Sequence, residues 1–227
     1  MDHDALFETM IASGIILLLV LLVVGLFLGW WRALFFPGTT SDIRYPIGPD
    51  DDPTRGSTQA LVWIVVFSDY ECPFCAAYDR TIEETMKFFT GDDGNETSGD
   101  SAVLYAFRDF PLRIHPKAFQ SAKAAGCAFE QQRFWEYHAS LFAHQDAQEI
   151  GDLREYAGTA GLNLTLYDEC FSNDRRAYEI QEDMAEAARY GVTGTPTTFI
   201  NGKRYVGALT QEQLVAAIDE ARGKTTS

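Results

Sequence analysis

The tetrapeptide Cys-Pro-Phe-Cys at positions 72–75 carries the residues best suited to chemistry in this chain. Two thiols separated by two residues can be oxidised to a disulfide and can exchange that disulfide with other thiols. A strand-like apolar run, Leu61 to Phe67, precedes them, and a helix-like stretch, Ala76 to Phe89, follows. Cys72 is therefore predicted at a helix N-terminus, whose partial positive charge stabilises a thiolate. The pattern indicates exchange, with Cys72 as nucleophile and Cys75 as resolving thiol.

Two other interpretations of the motif are a structural disulfide and half of a zinc site. A structural zinc normally needs four ligands, and His115, His138 and His144 show no second paired spacing. We therefore expect neither a metal nor an organic cofactor. Pro73 and Phe74 are expected to tune the redox potential, and Phe74 offers no hydrogen bond or charge to the first sulfur.

The elements around the motif predict an α/β fold. The strand Leu61 to Phe67, expected to be buried on both faces, the following helix and a second apolar strand, Ala102 to Phe107, form a βαβ unit with parallel strands. Residues from about 116 to 190 are mostly helical in pattern, with helices expected at 117–130, 133–144, 149–160 and 173–190. An Asn-Gly hairpin near 197–206 and a last helix follow. This order predicts a thioredoxin fold with an inserted helical subdomain, over residues 59–224.

The N-terminal part of the chain predicts one transmembrane helix. No charged residue occurs from Thr9 to Trp31, a stretch long enough to cross a bilayer. A tail (1–9), an anchor (10–31) and a Pro-, Gly- and Asp-rich linker (32–58) are expected. A cleaved signal peptide is the alternative, which the acidic start of the chain disfavours.

The side of the membrane on which the domain lies is indicated by two conflicting signals. Arg32 and Arg44 follow the apolar run and weakly favour the cytoplasm for the large domain. Cysteine chemistry favours an oxidising, extracytoplasmic compartment and carries more weight. The formal net charge of −15 makes nucleic acid an unsuitable partner.

Three motifs in the expected order resemble the DsbA-like thiol–disulfide oxidoreductases, and among them the membrane-anchored branch. They are the segments Phe67 to Cys75, Phe134-Trp135-Glu136 and Gly194 to Gly202. The resemblance covers about residues 58–222. It implies that cysteine-containing extracytoplasmic proteins are the substrates, and that a membrane redox partner, plausibly quinone-linked, reoxidises the site.

The resemblance also assigns roles to Thr195 and Pro196. It implies a cis peptide bond before Pro196, facing the cysteines, and a Thr195 backbone free to pair with a substrate segment. An ordinary turn before a strand is the alternative. Family members often carry a buried acid six residues before the first cysteine, where this chain has Val66. Asp69 and Glu71 lie nearby and are expected to be exposed loop carboxylates. The alternative is that one of them transfers protons or tunes a thiol pKa, and water could also serve in proton transfer.

Cys127 and Cys170 lie in the predicted helical subdomain. A structural disulfide there would close a long loop and contribute about 4 kcal/mol in the chain-entropy model. Two separate buried thiols are the other interpretation.

Together these patterns predict a single-pass membrane protein that forms disulfides on the extracytoplasmic side. A reductase or isomerase of the same fold is one alternative. A non-catalytic chaperone or peptide-binding module, in which Cys72 and Cys75 form a structural disulfide, is another.

Overall fold

The computed structural model describes residues 20, 21, 23, 24, 43–90 and 103–223. The chain divides into two units, residues 1–43 and 44–227. The anchor predicted at 10–31 lies outside the described residues except for four helical positions. Within the described part of the chain, no helix has the length and apolar character needed to cross a membrane.

The second unit contains five strands and seven helices among its described residues. The strands are β1 (Thr54–Gly56), β2 (Val62–Ser68), β3 (Val103–Asp109), β4 (Thr197–Ile200) and β5 (Lys203–Val206). The helices are α1 (Pro73–Thr90), α2 (Ala118–Glu130), α3 (Phe134–Ala143), α4 (Ile150–Thr159), α5 (Leu164–Ser172), α6 (Ala177–Arg189) and α7 (Gln211–Ala221).

The sheet has the strand order β1-β3-β2-β4-β5. Only β2 and β3 pair in parallel, joined through α1, while every other neighbouring pair is antiparallel. This is the predicted mixed α/β thioredoxin-like fold. The expectation that β2 is buried on both faces is wrong at Trp63, whose side chain is 42% exposed near the start of the strand.

The helical insertion comprises α2 to α6. Helix α5 has no counterpart in the helices predicted from the sequence. It begins at the N-cap Asn163, whose side chain accepts hydrogen bonds from the backbone of Thr165 and Leu166. It has only nine residues, so few turns are available to display a helical apolar period.

Part of the predicted linker belongs to the folded unit. Strand β1 pairs with β3, and the backbone N–H of Phe107 donates to the carbonyl of Pro53 over 3.0 Å. The domain therefore begins before residue 59. Three residues are too few to show the alternation by which a strand is recognised.

A buried cluster of charges attaches this early segment to the sheet and to α6. Arg108, 1% exposed, contacts Asp52, Asp183 and Glu186. Burial raises the pKa of Asp52 to about 7, that of Asp109 to about 8 and that of Asp183 to about 9. Burial therefore favours the protonated form of these carboxyl groups near neutral pH.

Candidate active site

The two central cysteines lie where β2 ends and α1 begins. A turn from Asp69 to Cys72 joins the two elements, and the N–H of Cys72 donates to the carbonyl of Asp69 over 3.1 Å. The carbonyl of Cys72 accepts the first helical hydrogen bonds, from Cys75 (3.0 Å) and Ala76 (3.2 Å). Pro73 is the first helical residue, a position that needs no N–H donor.

Cys72 and Cys75 are free thiols in the structure, and both are buried. Hydrogen bonding from the Cys75 thiol, with help from the backbone N–H groups of Cys75 and Phe74, lowers the pKa of Cys72 to about 5 despite its partial burial. Burial raises the pKa of Cys75 far above its ordinary value. One cysteine is therefore a stable thiolate near neutral pH, while the other keeps its proton.

The segment before β4 completes the site. The Thr195–Pro196 peptide bond is cis, as the resemblance implies. The Cys72 Sγ atom lies 3.6 Å from the carbonyl oxygen of Thr195. The carbonyl of Pro196 accepts a hydrogen bond of 2.9 Å from Gly207, which joins this segment to the end of β5.

Three large apolar side chains are exposed on the elements that form the site. Phe74 lies between the cysteines, Val206 lies beside Thr197 at the end of β5, and Ile114 lies on the loop after β3. Their exposed fractions are 69%, 72% and 79%. They offer exposed apolar contact area on these three elements.

The expectation that Asp69 and Glu71 are exposed loop carboxylates is wrong. The Asp69 side chain is fully buried; it accepts from the N–H groups of Glu71 (2.8 Å) and Leu112 (2.7 Å) and contacts His115 Nδ1 (2.8 Å). Glu71 is half-buried and accepts from the N–H groups of Lys117 and Ala118, at the start of α2. Both carboxylates satisfy backbone donors that would otherwise be buried without partners.

A second set of buried side chains under the turn was not predicted from the sequence. The Tyr70 hydroxyl lies 3.0 Å from His138 Nδ1, and His138 Nε2 lies 2.9 Å from Asp79 Oδ1 on α1. Tyr70 also stacks on Phe107. The network connects the turn, α1 and α3. The Phe134-Trp135-Glu136 motif on α3 did not indicate this hydrogen-bonded chain.

No buried acid lies six residues before Cys72, because that position is Val66, which packs in the core. Among the described residues, no three His, Cys, Asp or Glu side chains converge in a way that would hold a metal ion.

The remaining cysteines, Cys127 on α2 and Cys170 on α5, form a disulfide, as one of the two sequence interpretations has it. Both are buried in the helical subdomain.

The family described as thioredoxin matches residues 49–220. This chain belongs to the thioredoxin family. Among curated relatives, a protein named Na(+)/H(+) antiporter NhaA 1 from Mycolicibacterium gilvum is 36% identical over 181 residues, covering 78% of this chain and 28% of that protein. NhaA 3 from Salinispora tropica is 37% identical, covering 79% and 26%. The chain thus spans about a quarter of these relatives, too little to assign ion transport to it.

Solved structures share the fold. A thioredoxin-like oxidoreductase from Silicibacter pomeroyi aligns with a TM-score of 0.65 at 23% identity, covering 77% of this chain and 94% of the other. The thiol-disulfide exchange protein alpha-DsbA2 from Wolbachia pipientis gives 0.64 at 21%, covering 74% and 86%. BdbD from Bacillus subtilis gives 0.63 at 21%, covering 75% and 92%. This chain therefore has a DsbA-like fold.

Proposed function

We propose that this chain is a membrane-tethered thiol–disulfide oxidoreductase that forms disulfides in extracytoplasmic proteins by exchange at Cys72 and Cys75. The observation that carries the proposal is the asymmetry of the two thiols beside the Thr195 carbonyl. Cys72 has a pKa of about 5, whereas burial raises that of Cys75. An exchange enzyme needs one thiol that reacts as a thiolate and a second, resolving thiol that keeps its proton.

In the proposed reaction, a substrate thiolate attacks the Sγ of Cys72 in the oxidised enzyme. The bond between Cys72 and Cys75 breaks, a mixed disulfide forms, and the Cys75 sulfur leaves with an electron pair and takes up a proton. A second substrate thiolate then attacks the substrate sulfur of the mixed disulfide and releases Cys72 as a thiolate. Two electrons pass from the substrate to the enzyme.

The direction of exchange follows from the stability of the Cys72 thiolate. A thiolate with a depressed pKa stabilises the reduced pair, so the oxidised pair accepts electrons more readily. The low pKa of Cys72 thus supports disulfide donation over reduction or isomerisation. The reduced enzyme then needs an oxidant, and the family resemblance suggests a quinone-linked membrane partner.

The surroundings of the sulfurs support a polypeptide substrate. The exposed side chains of Phe74, Ile114 and Val206 provide apolar area that a small thiol would not fill. The Thr195 backbone beside the cis bond provides groups for pairing with an extended chain.

The proposal is tested with the oxidised full chain in detergent and a reduced, unfolded protein that contains two cysteines. Formation of the substrate disulfide, with loss of one enzyme disulfide per disulfide formed, is the expected result. Reduction of an oxidised substrate instead would support the reductase alternative. Substrate binding that persists in Cys72→Ser, with no exchange by the native chain, would support the binding module.

The location of the domain needs a separate test in intact cells. We expect a membrane-impermeant maleimide to label reduced Cys72 from outside, because the oxidising chemistry fits an extracytoplasmic domain. Labelling only after lysis would place the domain in the cytoplasm.

A further inference from the structure

Gln145, in the loop after α3, directly contacts the turn from Asp69 to Cys72, which we call the catalytic turn. Its Nε2 atom donates to the carbonyl of Tyr70 (2.8 Å) and to the carbonyl of Cys72 (3.0 Å). One amide NH₂ group therefore uses both of its hydrogens on the two carbonyls that flank Glu71. No charge is introduced beside the sulfur.

The loop that carries Gln145 is itself held in place. Gln148, 1% exposed, accepts from the Ser121 hydroxyl (2.7 Å) on α2 and donates to the carbonyls of Leu141 (3.0 Å) and Tyr70 (3.2 Å). The Tyr156 hydroxyl on α4 donates to the carbonyl of Ala147 (2.8 Å). The loop that carries Gln145 is thus fixed to three helices of the insertion, α2, α3 and α4.

The Cys72 carbonyl that Gln145 contacts also accepts the first two hydrogen bonds of α1. Its orientation decides where the helix begins, and hence where the N–H groups of Phe74 and Cys75 point relative to the Cys72 sulfur. We propose that Gln145 is a positioning residue through which the helical insertion holds the catalytic turn in the geometry that makes Cys72 reactive. The inference rests on the proposed role of Cys72 as the exchanging thiol.

The test uses the reduced full chain and the ultraviolet absorbance of the thiolate as a function of pH. Gln145→Met keeps the side-chain length and removes both donors, so the Cys72 titration midpoint should rise. Each unit of rise lowers the rate of alkylation by iodoacetamide about tenfold at a pH below both midpoints, because the thiolate fraction falls by that factor.

Gln131 supplies the matched control. It is another half-buried glutamine of the insertion that bridges backbone groups, accepting from the N–H of Asn163 (2.8 Å) and donating to its carbonyl (3.3 Å). The Gln131→Met variant should lose a comparable free energy of unfolding, and its Cys72 thiol should titrate with the same midpoint as in the native chain. A rise of the Cys72 titration midpoint in Gln145→Met but not in Gln131→Met would support the proposed positioning role of Gln145.

A native titration in folded Gln145→Met would overturn the inference. If that variant does not fold, Gln145→Asn is used instead, because it keeps the amide and shortens the side chain by one methylene. A rise of its Cys72 titration midpoint would support the positioning role, and an unchanged midpoint would overturn it. The titration needs no substrate. Absence of exchange by the native chain would therefore overturn the proposed function without deciding the role of Gln145.

Discussion

The two cysteine pairs of this chain differ in chemistry although all four residues are buried. Cys72 and Cys75 are three positions apart along the chain and are free thiols, whereas Cys127 and Cys170 are 43 positions apart and are bonded. The first pair lies at a helix start beside the Thr195 carbonyl; the second lies between α2 and α5, inside the helical insertion. Burial alone therefore does not distinguish the two pairs; the helix start and the Thr195 carbonyl beside the first pair do.

Replacement of one cysteine in each pair should give the clearest separation. Cys72→Ser should reduce the exchange rate to that of the uncatalysed reaction, because the attacked sulfur is lost. The double variant Cys127→Ser, Cys170→Ser should keep most of the native rate. Both are measured by oxidation of a dithiol peptide. Loss of activity in both variants would remove the distinction between the pairs.

Stability should respond in the opposite way. The double variant Cys127→Ser, Cys170→Ser should lose about 4 kcal/mol of unfolding free energy, because a disulfide over this separation restricts the unfolded chain. At pH 5, where the thiolate contribution of Cys72 is lost, reduced Cys72→Ser should change it far less. Denaturant midpoints of the domain, recorded with the helical signal, measure both. A double variant as stable as the native chain would show that the bond is dispensable for folding.

The pH dependence of stability should differ between the reduced and oxidised forms of the Cys72 pair. The pKa of Cys72 falls from 9.0 to about 5 on folding, so its stabilising contribution is full above pH 9 and is lost as the pH falls through 5. The raised pKa values of Asp52, Asp109 and Asp183 act in the opposite sense, since their contribution is full below pH 3.8 and is lost as the pH rises from there to about 7, 8 and 9.

The carboxyl groups are present in both redox forms. Subtracting the unfolding free energy of the oxidised form from that of the reduced form therefore isolates the contribution of the Cys72 thiolate. The stability of the reduced form minus that of the oxidised form should rise from pH 5 to pH 9, as measured by denaturant unfolding with the Cys127–Cys170 bond kept intact. A difference that stays flat with pH would contradict a low Cys72 pKa.

The hydrogen bonds of Asp69 that hold the turn before Cys72 can be compared with the Cys127–Cys170 disulfide of the insertion. Asp69→Asn should cost about 1–3 kcal/mol of unfolding free energy, since an amide NH₂ would face buried N–H groups that the carboxylate now satisfies. Asp168→Asn, which breaks an exposed ion pair with Arg154, is the control and should cost at most about 1 kcal/mol. Equal costs would contradict this account of the turn.

Local patterns predicted the βαβ unit, the position of the cysteines at a helix start and the hairpin that follows Pro196. These features depend on residues that are close in sequence. The contacts of Asp69, His138 and Gln145 join segments that are 43 to 75 positions apart, and no local period reports such pairings. Likewise β1 and α5 were missed because each is too short to show its period.

The most direct test of the central claim is the reduction potential of the Cys72–Cys75 pair, measured on the full chain in detergent by equilibration with glutathione. A stabilised Cys72 thiolate predicts an oxidising value, near the roughly −120 mV of strong disulfide donors. A value near about −270 mV, typical of thioredoxin reductants, would contradict disulfide donation and indicate a tethered reductase.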